Sequence, residues 1–212
     1  EKQGMVIVPV HSPDGMPVGL VGRSVEGKRF KNSKNLPRNK TMFNIHRAKR
    51  ASNSVIVCES SFDAIRIHQA GFPNVVATLG GSISPDHIKL LNRYFSKITI
   101  MTDADQAGRE LGNSIANKLK FKNILWASEG YGKTYPHNAK DAGDMTDEEI
   151  VFCIKLLTTF VRQNKEIMEN TILSVYEIKI GRTWTKVRAT SMQALNQWAN
   201  ENKVSSWRMV GM

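Results

Sequence analysis

Acidic residues follow two apolar runs in this 212-residue chain. Glu59 follows the run Val55–Cys58. Asp103 and Asp105 follow the run Ile98–Thr102. Both runs are rich in β-branched side chains, as expected of strands buried on both faces of a parallel sheet. Ligands of open α/β sheets gather at the carboxyl ends of such strands, and carboxylates there suit a hard cation such as Mg²⁺. The pattern therefore predicts a metal-dependent phosphoryl-transfer site.

Three further carboxylates could join this site. Asp63 lies one helical turn after Glu59, and Asp141 and Asp144 follow a loop later in the chain. Converging carboxylates would repel one another without a cation, and two metal ions would relieve this while holding both ends of an in-line displacement. Spacing alone leaves a second interpretation open, in which these residues are scattered helix N-caps and surface charges.

Two other ligand loops fit the sequence poorly. An EF-hand beginning at Asp103 would need glutamate at its twelfth position, which is Ser114, and a helix before it rather than a strand. Gly132-Lys133-Thr134 resembles the end of a P-loop, but the glycine expected five residues earlier is Ala127. Gly80-Gly81 could bring backbone N–H groups near a phosphate, or could simply form a tight turn. The sequence therefore favours neither calcium nor a P-loop.

The positive charge is concentrated near the start of the chain. The net charge is +11, and residues 1–58 hold 11 basic and 3 acidic side chains. Such a block favours a polyanion, and nucleic acid over a membrane, because no amphipathic basic helix accompanies it. A solvated basic surface is the alternative.

Targeting signals and paired cysteines are lacking. No apolar run reaches the roughly 20 residues of a membrane span, and no secretory signal opens the sequence. Cys58 and Cys153 form no CxxC pair, so we predict that both are small buried hydrophobic residues. We expect a cytoplasmic protein without membrane contact. A start at Glu1 rather than methionine indicates a piece of something longer.

The elements that position the acidic residues alternate along the chain. A β-meander opens it, with strands over Met5–Val10 and Pro17–Arg23 and a turn at Ser12-Pro13-Asp14-Gly15. An exposed strand and loop are expected up to Arg50. The segments predicted next are a strand ending at Glu59, a helix stopped by Gly71 and Pro73, a strand over Asn74–Leu79, a helix capped by Ser84, a strand reaching Asp105, a helix over Ala107–Leu119 and a strand over Asn123–Ala127. This βαβαβαβ order predicts a mostly parallel sheet.

The chain changes character after Thr146. A helix is predicted over Asp147–Asn170, with Thr146 and Glu149 forming a capping box. The tail could then form a β-β-α-β module, with a hairpin across Gly181-Arg182 and a helix over Ser191–Asn202. Its tryptophans, among basic residues, could stack nucleobases, although a miniature core fits them better.

Several motifs resemble one known family when they are taken in order. Glu59-Ser60-Ser61-Phe62-Asp63, Leu79-Gly80-Gly81 and Asp103-Ala104-Asp105-Gln106-Ala107-Gly108-Arg109 resemble the TOPRIM domain shared by DnaG-type primases, topoisomerases and some nucleases. Val8-Pro9-Val10, Gly19-Leu20-Val21-Gly22-Arg23 and Phe30-Lys31-Asn32-Ser33 resemble the N-terminal subdomain of the DnaG-type primase core, and Lys140-Asp141 resembles its closing Lys-Asp-Pro stretch. The resemblance covers about residues 4 to 148.

The resemblance implies a fold and an activity. The fold is α/β: a Rossmann-like TOPRIM domain, mostly a parallel sheet flanked by helices, over residues 51–145, with a β-rich N-terminal subdomain over residues 1–50 and a small α+β appendage over residues 146–212. The activity is that of a DNA primase, a nucleotidyltransferase that makes RNA primers on single-stranded DNA from ribonucleoside triphosphates, of host, phage or mobile-element origin. A replicative helicase is a further expected partner.

The resemblance also implies roles for individual residues. Catalysis would rest on Glu59, Asp103 and Asp105. Two Mg²⁺ or Mn²⁺ ions would be held by Glu59, Asp63, Asp103, Asp105, Asp141 and Asp144. Nucleotide or template would be bound by Arg23, Arg29, Lys31, Asn32 and Lys40, and a guanidinium suits bidentate phosphate contact.

Some positions depart from the family pattern and keep two alternatives open. Ala142 replaces the proline after Lys140-Asp141, and Gly143 stands where a second aspartate is expected, with Asp144 one place later. The alternatives are a TOPRIM nuclease that cleaves strands, and a catalytically silent nucleic-acid-binding module. The N-terminal subdomain, which such nucleases lack, favours the primase.

Overall fold

The computed structural model describes residues 4–27, 29–119, 123–127, 135–164, 174–180, 183–189 and 207–211. The chain divides into two compact units, Glu1–Ile124 and Leu125–Met212. The three predicted domains, with boundaries after residues 50 and 145, stay a prediction.

The first unit opens with a three-stranded antiparallel sheet. Its strands are β1 (Met5–His11), β2 (Pro17–Ser24) and β3 (Phe30–Asn32), in the order β1-β2-β3. The turn between β1 and β2 closes with a hydrogen bond from the Gly15 N–H to the Ser12 carbonyl, and Gly15 takes a φ of 90° that favours glycine. The predicted meander is therefore confirmed.

A four-stranded sheet with alternating helices follows, and the boundary between the two units falls within its last strand. Its elements are α1 (Ile45–Ala51), β4 (Ser54–Cys58), α2 (Ser61–Gln69), β5 (Val75–Ala77), α3 (Pro85–Tyr94), β6 (Lys97–Ile100), α4 (Gln106–Lys118) and β7 (Asn123–Trp126). The strand order is β5-β4-β6-β7, and β4 pairs in parallel with both β5 and β6. The predicted βαβαβαβ order is confirmed. Strand β5 has only three residues, all buried, and β4 lies between β5 and β6.

Side-chain caps fix where the helices begin. Ser60 and Asp63 form a capping box at α2, and Ser84 forms one with His87 at α3. Asp105 caps α4 by accepting a hydrogen bond from the Gly108 N–H. The backbone must leave the sheet to enter this cap, and β6 accordingly ends at Ile100. The predicted strand reaching Asp105 was therefore too long.

One helix was missed by the sequence analysis. The basic segment before β4 was expected to be only strand and loop, but α1 lies within it. Met42, Ile45 and Ala48 are fully buried, whereas Arg47 and Arg50 are exposed. The helix has just seven residues, so its apolar stripe is too short to stand out among the basic side chains.

The antiparallel sheet and the parallel sheet meet at the loop after β5. Phe43 and Ala77 form an isolated antiparallel bridge through two backbone hydrogen bonds of 2.9 and 3.3 Å. Leu79 packs in a buried cluster with Val10 of β1 and Val21 of β2. The N-terminal sheet thus lies against the carboxyl edge of the parallel sheet, where the acidic residues were predicted.

The second unit contains a helix and a second antiparallel sheet. Its elements are α5 (Asp147–Asn164), β8 (Ser174–Ile180), β9 (Thr183–Ala189) and β10 (Trp207–Gly211), with strand order β10-β8-β9. The predicted hairpin and last strand are confirmed, as is the capping box between Thr146 and Glu149, with hydrogen bonds of 2.8 and 3.3 Å. The predicted helix over residues 191–202 and the side chains of the three tail tryptophans lie outside the described residues.

Two predictions concern the whole chain. Cys58 and Cys153 are buried and carry free thiols, as predicted. Among the helices that the structure describes, none has the length and apolar character needed to cross a membrane.

Candidate active site at the carboxyl edge of the parallel sheet

The loops after β4 and β6 are joined by the carboxylate of Glu59. The Asp103 backbone N–H donates a hydrogen bond of 3.4 Å to Glu59 Oε1. This contact follows from the topology, because β4 and β6 are parallel neighbours whose carboxyl ends reach the same edge of the sheet. The structure therefore brings the two predicted acidic loops together.

The electrostatics of Glu59 indicate a crowded anionic edge. Burial raises the pKa of Glu59, and the carboxylates of Asp105 and Asp63 raise it further, while the hydrogen bond from Asp103 opposes them. The ionised form is therefore disfavoured by its surroundings. A cation at this edge would offset both the burial of the Glu59 carboxylate and its repulsion from Asp105 and Asp63.

Asp63 and Asp105 both cap the N-termini of helices. Asp63 is 7% exposed, and its Oδ2 accepts hydrogen bonds from the Ser60 hydroxyl at 2.6 Å and from the Ser60 N–H at 3.3 Å. Asp105 is exposed, and its Oδ1 accepts from the Gly108 N–H at 2.8 Å. Asp63 is thus held within its capping box, whereas Asp105 faces solvent at the edge of the sheet.

Gly108 sets the position of the Asp103 backbone. A Cβ atom on Gly108 would lie 2.7 Å from the carbonyl carbon and 2.8 Å from the nitrogen of Asp103, and closer still to its carbonyl oxygen. Only glycine permits this approach of α4 to the loop. The Gly108 of the acidic motif therefore fixes the segment whose N–H contacts Glu59.

A glycine loop covers the other side of Glu59. The Leu79 N–H donates to the Glu59 carbonyl at 3.0 Å, and the Thr78 hydroxyl donates to the Gly80 carbonyl at 2.7 Å. A Cβ on Gly81 would lie 3.9 Å from Glu59 Oε2. The backbone of the Gly80-Gly81 turn thus runs beside the carboxylate.

The oxygen donors suit a hard divalent ion, although they form no compact cluster. Within the described ranges, no three His, Cys, Asp or Glu side chains lie close enough together to hold a metal ion. Mg²⁺ often keeps several waters and uses only one or two protein carboxylates. Glu59 with the exposed Asp105 fits that donor set. The predicted metal ligands stay a prediction.

Asp141 and Asp144 belong to the second unit. The Gly143 N–H donates to Asp141 Oδ1 at 2.8 Å, and the Lys140 N–H donates to Asp144 Oδ2 at 3.1 Å. His137 ties the same loop to α5, since its Nε2 bonds the Asp144 carbonyl at 3.1 Å and its Nδ1 lies 3.0 Å from Glu149 Oε1. These contacts give the loop a fixed form, and its predicted role as a metal ligand stays a prediction.

The predicted basic residues lie on different faces of the N-terminal sheet. Arg23 pairs with Phe30, and Asn32 pairs with the buried Val21, so these side chains share the face that packs on Leu79. Lys31 pairs with Gly22, whose missing side chain would meet Ile7 and Met5, and it lies on the opposite face. Of the predicted binding residues on β2 and β3, Arg23 and Asn32 share the face of the acidic edge, and Lys31 does not.

Two aromatic rings hold the guanidinium of Arg23. Its central carbon lies 5.4 Å from the ring centre of Phe30 and 5.2 Å from that of Phe62. Phe62 is in the first turn of α2, three residues after Glu59. Arg23 is therefore held beside the acidic loop, while Arg29 and Lys40 are exposed.

Two residues near this edge were not predicted from the sequence. Arg38 has its Nη1 atom 3.9 Å from where a Cβ on Gly80 would lie, although the prediction named Lys40 instead. His87, which no sequence motif singled out, is 1% exposed. Charge alone cannot single out Arg38 within a basic stretch, and the only signal for His87 was its place three residues after the cap Ser84.

Comparison with known proteins connects this edge to one domain family. Residues 53–126 match the family model described as the Toprim domain. The chain is 36% identical over 112 residues to a DNA primase of Helicobacter pylori and 33% identical over 113 residues to a DNA primase of Staphylococcus aureus. These matches cover 49% and 50% of the chain but only 20% and 19% of the relatives. The chain thus spans about a fifth of the length of these relatives.

Solved primase structures share the fold. The Aquifex aeolicus primase, with zinc-binding and RNA polymerase domains, has a TM-score of 0.60 at 23% identity, covering 78% of this chain and 44% of that one. The E. coli primase catalytic core has a TM-score of 0.57 at 18% identity, covering 77% and 56%. A DnaG primase catalytic domain bound to single-stranded DNA has a TM-score of 0.51 at 22% identity, covering 58% and 44%. The resemblance to DnaG-type primases and the α/β TOPRIM fold are confirmed.

Proposed function

We propose that this chain is part of a DNA primase and joins ribonucleotides into short RNA primers on a single-stranded DNA template. The observation that carries the proposal is the contact between Glu59 and the Asp103 backbone at the carboxyl edge of the sheet, inside the segment that matches the Toprim domain. The relatives that match about half of the chain are themselves named DNA primases. A replicative helicase as partner and a bacterial or phage-infected cytoplasm belong to the same proposal.

The acidic residues would hold the divalent ions. Glu59, Asp103 and Asp105 form the proposed metal-binding set in the first unit, and the metal-ligand roles of Asp141 and Asp144 stay a prediction from the sequence. Asp63 supports the set by capping α2 directly after Glu59. Bound Mg²⁺ or Mn²⁺ would help to generate the attacking 3′-oxygen and stabilise the leaving pyrophosphate. Burial and neighbouring carboxylates disfavour the ionised form of Glu59, so a bound cation would stabilise this anionic edge.

The basic residues would bind and orient the phosphates. Arg23 and Asn32 lie on the face of the N-terminal sheet that meets the acidic edge, which suits contacts to the incoming triphosphate. Arg38, beside Gly80, is exposed and suits contacts to the template backbone. Arg29, Lys31 and Lys40 are exposed and suit a template backbone.

Two other functions remain testable rivals. A TOPRIM nuclease would use the same carboxylates to cleave strands, but the sheet β1-β2-β3 packed on Leu79 favours the primase. A silent binding module would keep the basic face and bind no metal.

The deciding experiment incubates the protein with labelled ribonucleotides, single-stranded DNA and Mg²⁺. We expect short RNA products, lost in Asp103→Ala and Asp105→Ala at unchanged folded content. Asp14→Asn is the matched control, because Asp14 is an exposed carboxylate in the turn between β1 and β2, 3.9 Å from Lys49. Loss of the DNA strand instead of RNA synthesis would establish the nuclease, and undiminished synthesis by either alanine variant would contradict the assignment. A silent module would give no heat on titration with Mn²⁺.

A further inference from the structure

His87 binds the backbone of a distant segment from inside the protein. It lies in the first turn of α3 and is 1% exposed. Its Nε2 lies 2.6 Å from the carbonyl oxygen of Arg38 and 2.9 Å from that of Thr41. Both carbonyls belong to residues 38–41, which we name the basic strap. A buried imidazole is thus used to hold a loop almost fifty residues away in the sequence.

The hydrogen bonds define the tautomer of His87. The Ser84 N–H donates to Nδ1 at 3.4 Å, so Nδ1 accepts. Nε2 therefore carries the hydrogen and shares it between the two strap carbonyls. Burial lowers the pKa of His87, which agrees with a neutral ring. A neutral imidazole with one donor nitrogen satisfies every contact of this side chain.

Two further side chains complete the attachment of the strap. The Ser84 hydroxyl donates to the Asn39 carbonyl at 2.6 Å, so the cap of α3 contributes a second anchor. On the other side, the Thr41 hydroxyl donates to the carbonyl of His11 in β1 at 2.9 Å. The strap is thus fixed between α3 and the N-terminal sheet through its own backbone.

The fixed backbone leaves the basic side chains of the strap exposed. Arg38 and Lys40 are both exposed, and Arg38 extends to the turn at Gly80. The next residue, Gly81, lies beside the Glu59 carboxylate. A chain of contacts therefore connects His87 to the acidic edge. His87 binds the backbone of the strap, and the side chain of Arg38 in the strap lies beside the glycine turn.

We infer that His87 is a positioning residue, which holds the basic strap so that Arg38 and Lys40 meet the phosphates of the polyanionic substrate. This inference rests on the proposed function, because it assigns the strap to the same phosphate-binding surface. His87 touches no substrate and acts through the two basic side chains. Its removal should weaken phosphate binding rather than remove a reacting group.

A matched pair of substitutions separates the two nitrogens of His87. Asparagine places a carbonyl oxygen near Nδ1, which retains the cap, and it has no group at Nε2. Glutamine places its amide group near Nε2 and can still donate to the strap. His87→Asn should therefore lose the anchor while α3 keeps its cap, and His87→Gln should retain the anchor.

Equilibrium binding by the full chain measures the effect without requiring catalysis. The probe is a fluorescent single-stranded oligothymidylate followed by anisotropy over a range of salt concentrations. We expect His87→Asn to weaken binding about tenfold and His87→Gln to change it less than about threefold. Arg38→Ala/Lys40→Ala should lower the slope of log affinity against log salt by about one to two units, which is expected for one or two lost phosphate contacts.

A double-mutant cycle distinguishes positioning from a general structural role. In the Arg38→Ala/Lys40→Ala background, His87→Asn should cause no further loss of affinity. An equal loss in both backgrounds, or wild-type affinity of His87→Asn, would overturn the inference. If His87→Asn does not fold, Ser84→Gly replaces it, because glycine is tolerated as a cap at little cost but removes the anchor to Asn39.

The outcomes also separate this inference from the proposed function. If the wild-type chain binds the oligonucleotide and His87→Asn weakens binding only when Arg38 and Lys40 are present, but no RNA is made, the role of the strap is supported and the primase proposal is refuted. If RNA is made but His87→Asn weakens binding equally in both backgrounds, only the role of the strap is refuted. No oligonucleotide binding by the wild-type chain would refute both.

Discussion

Replacing Gly108 with alanine should disable the site although alanine is the better helix former. The added Cβ would lie 2.7 Å from the carbonyl carbon and 2.8 Å from the nitrogen of Asp103, where carbon contacts normally begin at about 3.5 Å. The Asp103 loop must therefore move by roughly 1 Å, because the contact is to backbone and no side chain can rotate away. Overpacking of this kind costs about 1–3 kcal/mol, against a gain of about 1 kcal/mol in helix propensity.

The activity should fall further than the stability. A displacement of about 1 Å at a reacting site can cost about 100-fold in rate. We expect Gly108→Ala to lose about 100-fold in RNA synthesis, while urea unfolding shows a net loss of at most about 2 kcal/mol. Ala107→Gly is the control, because this exposed neighbour in α4 should lose up to about 1 kcal/mol of helix stability and keep its activity. Gly108→Ala with full activity and a stability raised by about 1 kcal/mol would refute the reasoning.

Two further predictions address the electrostatics of the site. Glu59→Gln should raise the thermal midpoint at pH 7 by about 1–4 °C without divalent metal, after allowance for solvent screening, because it removes a half-buried charge and its repulsion from Asp105 and Asp63. The pKa of Glu59 is raised in the folded state above its ordinary value of 4.5, so the wild type loses stability as the pH rises through the folded-state pKa. The gain in thermal midpoint of Glu59→Gln should therefore disappear as the pH falls toward 4.5. Mg²⁺ at ten times its dissociation constant should stabilise the wild type by about 1.4 kcal/mol and the variant less; equal responses in a thermal shift assay would contradict the metal role. Phe62→Leu removes one of the two rings over Arg23 and should raise KM for nucleotide about threefold at unchanged kcat, and an unchanged KM would show that the ring does not orient the guanidinium.

The sheet of the first unit was predictable because its signals are local. The apolar runs before Glu59 and Asp103 specify buried strands, and Ser84 and Gly71 mark where helices start and stop. The convergence of the two acidic loops then follows from the parallel order of β4 and β6. Periodicity and caps act over a few residues, so they can be read from one sequence.

Features that depend on tertiary contacts were not predictable. The short helix α1 is held by packing of Met42 and Ile45 in the core, and its own sequence gives a weak helical signal. His87 is buried because the strap covers it, and no local pattern encodes a partner almost fifty residues away. The sequence also placed Lys31 with Arg23 in one binding set, and only the strand register shows that they lie on opposite faces.

Caps explain part of the acidic pattern as well. The cap interpretation applies to part of the set: Asp63 is a buried cap, while Glu59 accepts from a neighbouring loop across the sheet. The metal-site interpretation stays a prediction. Asp105 combines a cap with an exposed position. A carboxylate can be a helix cap and a ligand candidate at once, and sequence spacing cannot separate the two duties.

Anomalous scattering from a crystal of the chain soaked with Mn²⁺ and a ribonucleoside triphosphate tests the proposed metal site most directly. We expect an anomalous peak within coordination distance of a Glu59 carboxylate oxygen and of Asp103 or Asp105, with the triphosphate in contact with the same ion. A well-occupied triphosphate whose Mn²⁺ touches none of these three carboxylates would contradict it.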